Sequence, residues 1–301
     1  MYEAHYGFRE LPFGLTPDTS YVYPCASFQE ALNTLLVAAY NGEGFIKIVG
    51  EVGTGKTLLC RRFLATLDSN YVTAYIPNPY LEPRTLLYAL AEELGVALPR
   101  DADQHRLMKS LNHALLEFAR QGKTAVLCLD EAQAMPIETL EALRLLTNLE
   151  TEKRKLMQIV LFGQPELNRK LEEPAIRQLT QRITFHYHLG PLSVGELDDY
   201  IAHRLAVAGY EREHRLFSEA AIKKLHRTSG GIPRLANILA HKSMLVAFGQ
   251  GTRDIVPKHV KAAASDTLAV DSKRGALRWW PFGAVTLSIV AFIGVAWAIL
   301  K

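Results

Sequence analysis

Gly50-Glu51-Val52-Gly53-Thr54-Gly55-Lys56-Thr57 is the stretch on which the reading of this chain turns. It follows an apolar, β-branched run, Phe45–Val49, and it opens a stretch of helical pattern, Thr57–Leu67. Glycines at a strand-to-helix turn let the backbone approach a ligand closely. The amides from Val52 to Thr57 then form a nest for an anion. Lys56 is placed to reach the β- and γ-phosphates of a nucleotide, and Thr57 offers a hydroxyl to Mg²⁺. Gly50 through Thr57, with Leu58 behind them on the helix, are therefore the expected ATP-binding residues.

On either side of this stretch, short β-branched runs alternate with longer amphipathic stretches, the pattern of a parallel sheet covered on both faces. Strands are expected at Phe45–Val49, Tyr71–Ile76, Ala125–Leu129, Gln158–Phe162 and Ile183–Leu189, with helices at Thr57–Leu67, Pro83–Leu94, Gln104–Arg120 and Glu138–Leu149. After Pro191 the strand signals stop. Glu196–Ala208, Ser218–Ser229, Pro233–Phe248 and Pro257–Ala264 read as helices, with Ser218 as a cap and Pro233 in a first turn. The expected fold class is α/β, a P-loop core with a five-stranded parallel sheet over residues 1–190 and a small helical domain over 191–266.

Ala125-Val-Leu-Cys-Leu-Asp-Glu131 supplies the second half of the site. A buried run ends in two acids at the carboxyl edge of the sheet, where ligands bind in open α/β folds. Asp130 is placed to hold Mg²⁺, directly or through water, alongside Thr57. Glu131 is placed to orient and polarise the water that attacks the γ-phosphate.

These motifs, the strand count and the trailing helices resemble the AAA+ superfamily. The resemblance implies roles for further residues. Gln164, ending the fourth strand in Ile159–Leu167, takes the sensor 1 position, where many members carry Asn. Arg234, in Gly230-Gly-Ile-Pro-Arg234, takes the sensor 2 position near the γ-phosphate. Arg182 takes the arginine-finger position, with Arg177 as the competing residue, and a finger acts in a neighbouring copy's site. The implied partner is the chain itself, in a ring or arc.

The opening segment, Tyr6-Gly-Phe-Arg-Glu-Leu-Pro-Phe13 and Leu15-Thr-Pro-Asp18, resembles the ExeA/GspA-type ATPases of secretion and pilus systems. In that group this arm precedes a helix like Ser27–Tyr40 and lies near the nucleotide base. Further matches lie at Tyr75–Pro79, Gln164–Leu167, Arg177–Leu179 and Gly231–Arg234. The resemblance covers residues 1–265. It implies inner-membrane assembly proteins of an MSHA-like type IV pilus or a type II secretion machine as partners. Related ATPases of transposition, exopolysaccharide and protein-sorting loci share much of this pattern. Aromatic residues of the arm could stack on adenine or pack against the lid.

Residues Trp279–Leu300 carry no charge and are rich in Ala, Val, Ile, Leu, Phe and Trp. About 20 such residues span a bilayer as a helix. Lys273, Arg274 and Arg278 precede the tryptophans, so the positive-inside rule places the body of the chain in the cytoplasm. The expectation is a single-pass anchor in a bacterial inner membrane over 279–300, behind a linker over 267–278. No secretory signal opens the chain, because Glu3, Arg9, Glu10 and Pro12 interrupt any apolar run. Cys25, Cys60 and Cys128 lack the paired spacing of a zinc site or disulfide framework.

A net charge of +3 is too small to argue for a nucleic-acid partner, and no specific one is expected. Lys153, Arg154 and Lys155 read as a solvated loop. His186 and His188 share one face of a strand, too few ligands for a metal.

Overall fold

The computed structural model describes residues 2–16, 18–97, 103–146, 155–211 and 214–267. The segment expected to cross the membrane, 279–300, and the expected linker over 267–278 apart from Thr267 lie outside them, as do Lys153 and Arg154. Among the described residues no helix is long and apolar enough to cross a membrane.

The chain divides into two compact units. The larger comprises residues 15–207 with 232–234, and the smaller, among the described residues, comprises 2–14, 208–231 and 235–267.

The larger unit is built on five parallel strands: β1 (Phe45–Gly50), β2 (Tyr71–Ile76), β3 (Thr124–Leu129), β4 (Met157–Gly163) and β5 (Ile183–Leu189). Their spatial order is β2-β3-β4-β1-β5. Ala125–Leu129 are all buried because helices cover both faces of the inner strands. β5, on the edge, alternates between exposed and half-buried positions instead.

In chain order the helices are α1 (Glu3–Tyr6), α2 (Ala26–Tyr40), α3 (Lys56–Thr66), α4 (Pro83–Glu93), α5 (Gln104–Arg120) and α6 (Ile137–Leu146). They continue with α7 (Glu166–Leu171), α8 (Arg177–Thr180), α9 (Val194–Val207), α10 (Glu219–Ser229), α11 (Pro233–Gly249) and α12 (Pro257–Ser265). In the larger unit, α2 and α3 pack on β1, β4 and β5. On the other side Leu86, Leu90, Leu107, Leu111, Leu115, Leu140, Leu143, Leu167 and Leu179 join the strands in one apolar core. α5 shows why this sequence is helical. Asp103 caps it by accepting from the Arg106 N–H at 2.8 Å, and Leu107, Leu111 and Leu115 recur every fourth residue on the buried side.

The two units divide at a different place from the expected boundary at 190/191. α9 belongs to the sheet-bearing unit, where the Arg204 guanidinium lies 4.5 Å from the Tyr21 ring centroid and donates to the Tyr200 hydroxyl at 2.9 Å. That contact neutralises the cost of burying the arginine by pairing it with aromatic faces.

The first fourteen residues, expected with the core, belong to the helical unit instead. Their aromatic side chains explain why. The Tyr6 hydroxyl donates to the Met244 carbonyl at 3.2 Å, the Tyr2 hydroxyl meets His241 Nδ1 at 2.7 Å, and Phe13 packs edge-on against Phe217. Burial of large rings is the main stabilising contribution such a short arm can make. Of the two uses left open for the arm's aromatics, these contacts are packing within the helical unit.

Candidate nucleotide site

The site is assembled at the carboxyl ends of β1, β3 and β4, all inside the larger unit. The loop from Gly50 to Gly55 turns sharply because Gly53 and Gly55 occupy the left-handed region, at φ 84° and 103°. A side chain would be strained at both. At Gly53 a Cβ would also meet Arg234 Cβ at 2.5 Å.

Lys56, the first residue of α3, is buried, and its Nζ donates to the carbonyls of Gly50 at 2.8 Å and Glu51 at 2.9 Å. The ammonium is thus folded back over the loop that the glycines shape. Burial lowers its proton affinity, while the Glu131 and Asp130 carboxylates pull in the opposite direction. A phosphate brought into the loop would supply the missing counter-charge. Leu58 lies half-buried one residue beyond Thr57.

The Thr57 hydroxyl donates to Asp130 Oδ2 at 2.5 Å, so the two residues expected to share a magnesium ion already touch. Two oxygens so placed suit a hard cation that keeps part of its hydration shell. Among the described residues no group of three or more His, Cys, Asp or Glu could hold a metal, His186 and His188 included.

Asp130 is 2% exposed. Burial raises its pKa; the Thr57 hydroxyl and the Glu131 backbone N–H oppose that shift. A raised carboxyl pKa favours the folded state at low pH and loses that advantage as pH rises through the folded-state value. Asp130→Asn should therefore raise the nucleotide-free melting temperature at pH 7. The gain should shrink as pH falls through the raised folded-state value and vanish below the ordinary carboxylate range. Thermal scans of both proteins across pH check this, and a loss of stability at pH 7 contradicts it.

Glu131 is the positive-φ non-glycine residue among the described ones, at φ 53°. Its Oε2 accepts from Gln133 Nε2 at 2.6 Å and from Gln164 Nε2 at 2.9 Å. Gln164, expected at the sensor 1 position, thus meets the acid expected to handle water. Gln133 was not among the residues expected from the sequence. The signal available was an amide two residues after the acidic pair, too common a pattern to carry weight alone. Tyr75 was quoted only as part of a family match, yet its hydroxyl lies 3.5 Å from Asp130 Oδ2, and burial raises its pKa to about 12.

Arg234 is exposed, and its backbone N–H donates to the Gly53 carbonyl at 3.2 Å, which places the expected sensor 2 residue beside the phosphate loop. Arg182 immediately precedes β5, whose first residue Ile183 pairs with Phe45 at the start of β1, so it lies at the amino edge of the sheet, opposite the edge that carries the acidic pair. Its guanidinium donates to the Arg144 carbonyl at 3.1 Å, and Arg177 is exposed on α8.

Residues 39–171 match the family model of an AAA domain. The chain is 42% identical over 270 residues to the general secretion pathway protein A of Aeromonas hydrophila, covering 90% of this chain. It spans about half of that relative's length, 49%. Among solved structures it is similar to the Cdc6p protein of Pyrobaculum aerophilum, with TM-score 0.64 and 20% identity, covering 83% of this chain and 71% of that one. The Aeropyrum pernix ORC2 protein gives TM-score 0.61 and 18% identity, with 86% and 72% covered. RuvB of Thermotoga maritima gives TM-score 0.52 and 19% identity, with 79% and 67% covered. At such identities these structures speak for the fold alone. The chain thus carries a match to the AAA domain family and is similar, across nine-tenths of its own length, to a general secretion pathway protein A.

Proposed function

We propose that this chain binds ATP with Mg²⁺ and hydrolyses it to ADP and phosphate, working as a self-assembling motor or switch held at a bacterial inner membrane. One observation carries the reading. Lys56, Thr57, Asp130 and Glu131, drawn from two distant stretches of sequence, converge on one loop at the carboxyl edge of the sheet.

In this reading the amides from Val52 to Thr57 cradle the phosphates and Lys56 neutralises the outer two. Thr57 and Asp130 would hold a magnesium ion, which when bound would draw charge from the phosphate oxygens. Glu131 orients a water in line with the γ-phosphorus and takes its proton as the bond to the bridging oxygen breaks. Little covalent help is needed, since positioning and charge stabilisation supply most of the rate. Gln164 and Arg234 are proposed to sense and stabilise the γ-phosphate from the two sides of the loop.

Arg182 is proposed to act in a neighbouring copy, with Arg177 as the competing residue. Its separation from the chain's own acidic pair supports action in trans. The apolar segment 279–300 is proposed as the membrane anchor, with the ATPase body cytoplasmic. The likeness to general secretion pathway protein A supports inner-membrane secretion or pilus assembly proteins as partners, an MSHA-like pilus being one such system.

The test is phosphate release from ATP by the full chain in magnesium. Specific activity should rise with protein concentration as copies assemble. Arg182→Ala and Glu131→Gln proteins, each inactive alone, should recover part of the activity when mixed, since an arginine finger is worth about 10³–10⁵ in rate. Activity independent of concentration, with no recovery on mixing, contradicts the assembled form. No phosphate release at any concentration contradicts hydrolysis itself.

A further inference from the structure

Glu131 is held by one of its two oxygens. Oε2 accepts both side-chain amides, Gln133 at 2.6 Å and Gln164 at 2.9 Å, whereas Oε1 accepts no hydrogen bond among the described residues. The backbone N–H of Gln164 in turn donates to Gln133 Oε1 at 3.0 Å. This fixes which way the Gln133 amide faces. A backbone N–H can only donate and an ionised carboxylate can only accept, so Oε1 must meet the former and Nε2 the latter.

The turn carrying Gln133, Ala132–Ala134, is itself pinned. Lys170 Nζ donates to the carbonyls of Gln133 at 2.7 Å and Met135 at 2.6 Å. Glu131 enters that turn at φ 53°, a backbone conformation that is strained for a non-glycine residue and persists only where its surroundings enforce it. The contacts from β4, α7 and the turn are the surroundings that do so.

We infer that Gln133 is a positioning residue for water activation. Its amide ties Glu131 Oε2 to the end of β4, so that Oε1 is the oxygen left to receive a proton. As the water oxygen bonds to the γ-phosphorus, one of its O–H protons passes to Oε1. The electron pair of the breaking bond leaves with ADP. Gln133 itself touches neither nucleotide nor water. It sets the direction of the carboxylate by donating to one oxygen, and it reports the position of β4 through the Gln164 N–H. The inference rests on the hydrolytic reading above and adds a residue to it.

The experiment compares Gln133→Met and Gln133→Glu with wild type, in ATP affinity and in single-turnover hydrolysis, each with Glu131 intact and as Glu131→Gln. Methionine keeps the length and loses both bonds. Glutamate keeps an acceptor for the Gln164 N–H but loses the donor and sets a second carboxylate beside Glu131. Both should slow hydrolysis by about 10²-fold, the cost of a reacting group misplaced by about 1 Å, and should leave ATP affinity unchanged. In the Glu131→Gln background neither should slow it further, because the group being positioned is gone.

Equal losses in both backgrounds, a parallel loss of ATP affinity in well-folded protein, or full activity of Gln133→Met would each overturn the inference. If Gln133→Met fails to fold, Gln133→Asn carries the same comparison, since its shorter amide cannot reach both partners. A wild type that turns over ATP while ignoring Gln133 removes this inference alone. A wild type without turnover removes the hydrolytic reading as well.

Discussion

Glu131→Gln protein should bind ATP as tightly as wild type and release phosphate about 10²–10⁴ times more slowly, the range over which a positioned general base contributes. The substitution is nearly isosteric, so the left-handed backbone at Glu131 and the packing of the following turn are kept. Affinity is held by other groups, the loop amides, Lys56 and the Thr57–Asp130 pair, and none of them is bonded to the Glu131 side chain. What is lost is the ability to take a proton from water. Equilibrium titration with ATP, followed by single-turnover phosphate release, separates the two effects. Unchanged release would mean that the chain holds nucleotide as a scaffold and that Glu131 has no chemical role.

Lys56→Ala should fail earlier, at binding. Lys56 is 5% exposed, and its ammonium donates to the loop's own carbonyls of Gly50 and Glu51. In the proposed reading it is the cation that meets the outer phosphates. Charge-assisted hydrogen bonds are worth about 1.5–3 kcal/mol each, so losing two lowers affinity by roughly 10²-fold or more. The fold should survive. Alanine leaves the Gly50 and Glu51 carbonyls facing a cavity that water can enter, and the burial that lowers the lysine's proton affinity is relieved. Hydrolysis at saturating ATP should also fall, because the γ-phosphate loses the charge that stabilises it as it departs.

Most of the sheet is legible in the sequence because its strands are short apolar runs whose β-branched residues leave little alternative. The phosphate loop is legible because its chemistry is local, eight consecutive residues with glycine where φ must be positive. The acidic pair follows from its place at the end of a buried strand. Other features depend on contacts across long sequence distances. α7 and α8 contain six and four residues, too few to display a helical period. The placement of the first fourteen residues with the helical unit is decided by Tyr2, Tyr6 and Phe13 finding His241, Met244 and Phe217, more than two hundred positions away. The same holds for Gln133, which becomes informative only once β4 brings Gln164 beside it.

Side-by-side titration of labelled ATP, in magnesium, into wild-type and Lys56→Ala protein asks whether a triphosphate sits in the loop that ends at Lys56. Saturable binding by wild type, weakened about a hundredfold or more by the substitution, is the expected result. Equal affinity in the two proteins would place the nucleotide elsewhere, and the roles given to Thr57, Asp130 and Glu131 would go with it.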